Sequence, residues 1–432
     1  MTLSEDDLQV GVQMHSWATD LFPVCRSITG LGVRKTLKYL QTLLPELTTH
    51  EVPSGERVLD WIVPEEWNVR AAWVEDSSGT KILDFDKSNL HLMGYSEPID
   101  RVVSREELEQ HLYSLPDQPE AIPYVTSYYS RNWGFCLSEI QRTQLGPGPF
   151  RVVIDSTLAP GSLTYGELVI PGETTEEILL STYVCHPSMG NNELSGPVVT
   201  TALARWLQSL QSRRYTYRIL FIPETIGSIV YLSRHLEHLR SHVRAGWVVT
   251  CIGDERTYSY VPSRLGGTLA DRVSLQVLSE LESGFDEYTF LDRGSDERQW
   301  CSPGADLPVC SVMRSKYGTY PEYHTSLDDL TFVTPSGLAG GYRVLKQCIE
   351  LLEANDRWIV NTVGEPQLGR RGLYPTTSLK GSAASVSVLR DVVSYCDGNH
   401  DVLDLCERIG VASTQVMQAL DQLHKHEIVR RA

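Results

Sequence analysis

From about residue 161 to 355 the chain alternates strand-like runs with amphipathic helical runs, and this alternation limits its fold more than any other feature. "EEILLSTYVCH" reads as a buried strand. "SGPVVTTALARWLQSL" reads as a helix with Val199, Ala202, Leu203, Trp206 and Leu210 on one face. "YRILFIPE", "AGWVVTCIGDE" and "DLPVCSVMRS" are three further strands. "SIVYLSRHLEHLR", "ADRVSLQVLSELES" and "GYRVLKQCIELLEAN" are three further helices. Strands that alternate with helices are joined by crossovers, so the expected class is α/β with a mostly parallel sheet flanked by helices.

The flanks differ in pattern. Residues 5–45 read as two helices broken by "FPVCRSITGLG". Both are amphipathic and need a sheet to cover, which assigns them to the α/β domain. Between about 60 and 160 the chain turns to short β-branched and aromatic runs such as "WNVRAAWVED" and "AIPYVTSYY", with one acidic helix. After the linker "GEPQLGRRGLYPTTSLKGS" come three short helices and a terminal "EIVRRA" that suits a strand, a pattern resembling a winged helix-turn-helix. The expected partition is an α/β domain of residues 1–58 and 160–365, an inserted β-rich domain of 59–159, and a winged helix of 375–432.

Charge narrows the partners. The 432 residues carry a net charge of −17 and no basic block, which argues against nucleic acid or an anionic membrane as the main partner. In the C-terminal domain Arg408, Lys425, Arg430 and Arg431 are offset by Asp401, Asp404, Glu407, Asp421 and Glu427. Protein contact or homo-oligomer formation therefore suits that domain, or the inserted one, better than DNA binding. Nine dispersed cysteines without a Cys-x-x-Cys pair point to reduced thiols and a cytoplasmic place. The acidic start "MTLSEDDLQV" does not read as a secretion signal, and no apolar run reaches the length of a membrane span.

Chemistry collects at the strand ends. The first strand ends in His186, the second in Glu224, the third in Asp254, and the fourth is followed by Glu322 and His324. In open α/β sheets ligands bind at the carboxyl ends of strands. Two imidazoles with carboxylates on one edge are what a zinc site needs. Taken singly, Glu224 reads as a helix cap and Asp254 as a turn residue. The joint occurrence makes them candidates. The Asp296–Glu297 pair in "RGSDERQW" reads first as a solvated loop and second as catalytic.

The order His186, "GNNELSG", "PETIGS", "GDE", "GSDE", "YHTSLDD" resembles the zinc aminopeptidases with two co-catalytic metals. "CRSITG", "CHPS", "PETIGSI" and "EPQLGRRGLYP" narrow the resemblance to bacterial aminopeptidase-like proteins with an inserted β-rich domain of unknown function and a C-terminal winged helix. The resemblance implies that His186, Asp254 and His324 bind metal and that Glu224 is the catalytic base. It places Asn192 where the family has a bridging aspartate, and Thr225 where it has a glutamate ligand. Both replacements are uncharged, so one zinc or a weak pair is expected. Glu193, one position on from Asn192, is a stand-in carboxylate, although a one-residue shift at a helix start turns a side chain elsewhere. The implied function is metal-dependent hydrolysis of amide or peptide-like bonds in a small substrate, with Tyr320 or Tyr323 as oxyanion donor. The alternative is a peptidase fold that has lost catalysis and binds a ligand or partner.

Overall fold

In a computed structural model the described residues are 3–281, 283–373 and 382–432, with only the backbone described for 382–386. The first seven residues of the expected winged-helix span, and most of the C-terminal half of the linker before it, lie outside them. The chain forms two compact units, one of Thr2–Ala270 with Asp286–Arg343, the other of Asp271–Phe285 with Val344–Ala432.

The larger unit begins with helices α1 (Glu5–Leu21) and α2 (Leu31–Leu43). Ser4 opens α1 through a reciprocal capping box with Asp7. Gly30 opens α2 at φ 95°, where an added Cβ would lie 2.1 Å from the Trp67 carbonyl oxygen, so only glycine fits. The strands that follow are β1 (Thr48–Pro53), β2 (Glu66–Glu75), β3 (Lys81–Asp84), β4 (Ile99–Val103), β5 (Phe150–Ala159), β6 (Ser162–Ile170), β7 (Glu177–Tyr183), β8 (Thr216–Ile222), β9 (Val243–Val248), β10 (Ser259–Val261), β11 (Asp286–Glu287) and β12 (Val309–Met313).

Eight of them form the central sheet in the order β1–β6–β8–β7–β9–β12–β10–β11. The middle four, β8, β7, β9 and β12, run parallel, and β1, β6 and β10 are antiparallel to their inner neighbours. Every residue of β7 and β12 is buried, as a parallel strand covered on both faces requires. Helices α3 (Ser195–Ser209) and α4 (Ile226–His242) follow β7 and β8. Helix α1 packs on α3 and α2 packs on β6, so both N-terminal helices cover this sheet. The aromatic-rich stretch between β1 and β6 makes its own antiparallel sheet, β3–β2–β5–β4. The fold is the expected one: a mainly parallel sheet flanked by helices, with a β-rich insertion.

The smaller unit holds α7 (Ser382–Tyr395), α8 (Val402–Ile409) and α9 (Ser413–Lys425), the labels α5 and α6 going to Leu269–Ser279 and Pro335–Ala354. Strand β13 (Arg357–Val360) is flanked antiparallel by β14 (Asp397–Asp401) and β15 (Val429–Arg431), and β15 lies in "EIVRRA". This is the winged helix-turn-helix.

Candidate active site

Strands β7 and β8 are in register, with Tyr183 opposite Ile222, and Val184 donates to the Ile222 carbonyl. Their carboxyl ends therefore share one edge. His186 lies three residues past the first and Glu224 two past the second. Four non-glycine residues around this edge are left-handed: Ser188 (φ 42°), Thr225 (65°), Cys251 (48°) and His324 (56°). Such backbone costs of order 1–3 kcal/mol each and persists only where surrounding contacts over-determine it. Here tertiary hydrogen bonds do so. Thr225 N donates to Asp296 Oδ1 at 2.7 Å, and the His324 carbonyl accepts from Tyr124 N at 2.8 Å.

His186 is held on both sides of its ring. Nδ1 lies 2.9 Å from Glu193 Oε2, and Nε2 lies 3.5 Å from Glu224 Oε2. Behind Glu193 stands Arg26, wholly buried, with Nε 3.3 Å from Glu193 Oε1 and 2.8 Å from the His186 carbonyl oxygen. Burial pulls Arg26 down and Glu193 up from their ordinary values, while mutual attraction pulls both back. Protonating Glu193 would leave the Arg26 cation alone in the interior, so the ion pair is the form that fits. A Glu193 carboxylate accepts from Nδ1–H and leaves the Nε2 lone pair facing outward. The His324 ring sits 5.4 Å from that of His186, centroid to centroid. Burial holds both imidazoles down to about 3, so both are neutral at physiological pH.

His186, Glu224 and His324 line one cavity of about 420 Å³. Its wall comes from the insertion. The backbone at Tyr124 and Ile122 bonds to His324 and Ser326, which brings the Tyr124 ring over both histidines, with the Tyr128 hydroxyl 2.7 Å from its own. Asp296 stands behind Glu224. Burial raises Glu224 to about 8, helped by the charge of Asp296, and burial raises Asp296 to about 7. The expected solvated loop at Asp296–Glu297 is therefore buried machinery. Asp296 accepts from Thr225 N and Ser228 Oγ, and Glu297 accepts from Tyr317.

Asp254 lies elsewhere. Its carboxylate accepts four hydrogen bonds, from Ser315 N and Oγ, Arg256 N and Asn191 Nδ2, all between 2.8 and 3.0 Å. That fills the lone pairs of a carboxylate, and it does not line the cavity. Glu322 pairs with both terminal nitrogens of Arg256 and is likewise outside it. The Tyr320 hydroxyl turns to Cys251 and Asp328, while Tyr323 stacks on His324.

Beneath the cavity is a neutral layer. Gly190–Leu194 forms one turn of π-helix before α3, and Asp328 caps it by accepting from Asn191 N and Asn192 N. An added Cβ at Gly196 would fall 2.3 Å from the Val249 carbonyl oxygen, so α3 sits directly on the end of β9. This brings Thr250 to Asn192. Thr250 Oγ1 donates to the Asn192 carbonyl, and the Tyr183 hydroxyl lies 2.5 Å from Thr250 Oγ1 and 3.2 Å from Asn192 Oδ1. Asn192 Nδ2 is buried without a partner.

The donors discriminate between metal sites. Cys185, His186 and Glu193 lie within 4.8 Å of one another, but a cation among them would meet Arg26, and burial holds the Cys185 thiol protonated. A second ion at Asn192 would meet an amide donor and two hydroxyls. At the mouth of the cavity, 3.5 Å between His186 Nε2 and Glu224 Oε2 is close to the about 3.3 Å that separates two donors on one zinc. His186 Nε2 and Glu224 Oε2 are thus spaced so that both could reach one ion, whereas the one group of three ligand atoms within 4.8 Å of one another among the described residues is Cys185, His186 and Glu193.

Arg26, Tyr183, Thr250 and Asp328 went unnoticed in the sequence. Two of them lie in motifs already singled out, Arg26 in "CRSITG" and Asp328 in "YHTSLDD".

Residues 15–355 match a family model described as a domain of unknown function (DUF4910), and residues 357–431 match a winged helix-turn-helix model. A Clostridium acetobutylicum protein, provisionally named as a polysaccharide biosynthesis protein with an aminopeptidase-like domain, is 41% identical over 431 residues, covering 99% of this chain and 98% of the relative. A crystal structure from C. acetobutylicum, provisionally described as a peptidase, superposes with a TM-score of 0.93 at 40% identity over 99% of this chain and 98% of that one. The zinc aminopeptidase BSAP of Bacillus subtilis superposes with a TM-score of 0.57 at 11% identity over 81% of this chain and 95% of that one, a likeness of fold.

Proposed function

The chain belongs to the DUF4910 family with a peptidase fold, and from that premise we propose that it hydrolyses amide or peptide-like bonds in a small substrate with the aid of at most one zinc ion. The observation that carries this reading is the His186 imidazole, pinned at Nδ1 by the buried Arg26–Glu193 pair and presenting Nε2 beside Glu224 in a cavity. His186 and His324 would hold the ion, with Glu224 as the anion beside them; when bound, it supplies Lewis acidity to the amide carbonyl. Asp254 is left out of this ligand set.

Glu224 does the proton work. Its burial places its titration near neutral pH, where a base is most effective. It takes a proton from water as the water oxygen bonds to the acyl carbon, and returns it to the nitrogen as the C–N bond breaks. Asp296, behind it, raises its proton affinity by charge. Tyr124 covers the histidines and, with Tyr128 beside it, excludes water.

The partition at residues 59, 160 and 375 is part of this proposal; the family matches, 15–355 and 357–431, support a separate winged-helix part but begin it at 357, where β13 already pairs in its sheet. A cytoplasmic place is supported by the odd, dispersed set of nine cysteines without a Cys-x-x-Cys pair. Oligomerisation through the winged helix or the insertion completes the proposal. Among the described residues no helix is long and apolar enough to cross a membrane.

The test is elemental analysis of the purified protein beside turnover of aminoacyl amides and, following the name of the Clostridium relative, N-acetylated sugars. Turnover should fall roughly 100-fold or more in Glu224→Gln. A protein that carries no metal and turns over nothing with any added metal would sink the reading. The neutral Asn192, Thr225 and Thr250 favour a second one, a peptidase fold that binds its ligand without hydrolysing it. Ligand binding without turnover would establish that.

A further inference from the structure

The cavity of His186, Glu224 and His324 has one cationic side chain on its wall, Arg298. Two hydrogen bonds fix it: Nε donates to the Ser295 carbonyl at 3.1 Å, and Nη2 donates to Thr225 Oγ1 at 3.0 Å. Among the described residues Nη1 has no hydrogen bond, and no carboxylate pairs with the guanidinium. In this it differs from Arg26, Arg218, Arg256 and Arg272, each of which has a carboxylate partner. Thr225 is the neighbour of Glu224, so the open face of Arg298 lies one residue from the base. The opposite wall is aromatic and apolar, formed by Tyr124, Tyr128, Tyr129, Trp61 and Ile226, with Tyr129 and Trp61 partly exposed at the mouth in an edge-to-face pair.

We propose that this cavity selects a compact amide bearing a carboxylate, in the manner of an N-acyl amino acid with an aromatic or large apolar side chain. The carboxylate sits on Arg298, the side chain lies against the tyrosines and Trp61, and the amide lies over His186 and Glu224. An arginine fixed by its own hydrogen bonds loses little freedom on gripping a planar carboxylate. A cavity of about 420 Å³ holds a molecule of that size. A substrate with a free amino terminus would set its cation against Arg298, so the chemistry selected is the reverse of amine capture. The inference rests on reading this cavity as the amide site; turnover tests that reading, whereas equilibrium binding tests selection.

The experiment is titration calorimetry of the full chain with three probes: N-acetyl-L-phenylalanine, its neutral amide N-acetyl-L-phenylalaninamide, and the amine L-phenylalaninamide. The acid should bind roughly tenfold more tightly than its neutral amide, the size of one charge-assisted contact at a partly solvated arginine. Arg298→Ala should bring the acid down to the level of the amide and leave the amide unchanged. Arg298→Lys should keep part of the preference. Arg298 is exposed, so both variants are expected to fold. Equal binding of acid and amide, tighter binding of the amine, a preference that survives Arg298→Ala, or no binding of any probe at millimolar concentration would each overturn the inference. Preference for the acid without turnover of any amide would keep it and remove the hydrolase reading instead.

Discussion

The cavity and the layer beneath it are built from the same strand ends, a few residues apart, yet they handle charge in opposite ways. Above, His186, Glu224 and His324 keep lone pairs and one carboxylate directed into open space. Below, Asn192, Thr250 and Tyr183 meet through neutral hydroxyl and amide contacts, with Asn192 Nδ2 left without a partner. A buried anion needs a cation or several donors to hold it. In the lower layer neutral side chains fill the space. Where the imidazole is to stay reactive, a buried ion pair is retained behind it, although Arg26 and Glu193 are costly to desolvate.

The largest effect is expected from breaking that ion pair. Arg26→Met or Glu193→Gln should each cost about 3–5 kcal/mol, because each leaves a buried charge alone. The double variant Arg26→Met, Glu193→Leu should recover much of the loss. Urea unfolding of the three measures this, and a double variant worse than the sum of the singles would refute it.

Next comes pH. His186 and His324 titrate near 3 in the folded protein, below the 6.5 of an exposed histidine. The unfolded chain takes up these protons first, so stability falls as pH drops below 6.5, by at most about 1.4 kcal/mol per unit for each ring. Glu224 and Asp296 act in the other direction. Raised to about 8 and 7, they contribute stability that is complete below about 4 and is lost as pH rises to 8. Asp328, raised by burial to about 7, adds to them, so with metal chelated the melting temperature should be highest near about pH 4.5, fall gently to about 6.5 where the slopes oppose, and fall faster beyond on either side. His324→Gln should flatten the acid limb and Asp296→Asn the alkaline one. A melting temperature that climbs steadily from pH 6.5 to 8 contradicts this.

Recharging the neutral layer gives a smaller effect. Asn192→Asp, alone or with Thr250→Asp, should destabilise the metal-free protein by roughly 1–3 kcal/mol, since a buried carboxylate with no cation beside it would replace a neutral amide. Zinc should restore stability, and equilibrium dialysis should show higher stoichiometry or affinity than in the parent. Unchanged zinc binding in both variants would mean that the layer was never positioned to hold an ion.

The smallest is Tyr183→Phe. Losing the hydroxyl between Thr250 and Asn192 should cost about 1 kcal/mol. Turnover in the cavity should stay the same, since that hydroxyl belongs to the layer below. A large loss of activity would join the two regions that the structure separates.

The sequence by itself determined the layers of the fold. Period-two and period-3.6 patterns record which face of a segment is buried, so the parallel strands, their helices, the β-rich insertion and the winged helix were legible. The strand ends put His186 and Glu224 on one edge for the same reason, since a strand's end fixes the edge on which its next residues emerge; His324, farther past β12, reaches the cavity through a loop bonded to Ile122 and Tyr124. Tertiary structure alone decided the rest. Asp254 follows a strand as His186 does, yet four donors from Asn191, Arg256 and Ser315 turn it inward. Asp296 is acidic and local in sequence, yet folding buries it behind Glu224. Arg26, 160 positions from His186, reaches it only because α1 packs on α3. Periodicity reports burial along one segment. The partner of a buried charge comes from another segment, and close packing determines which one.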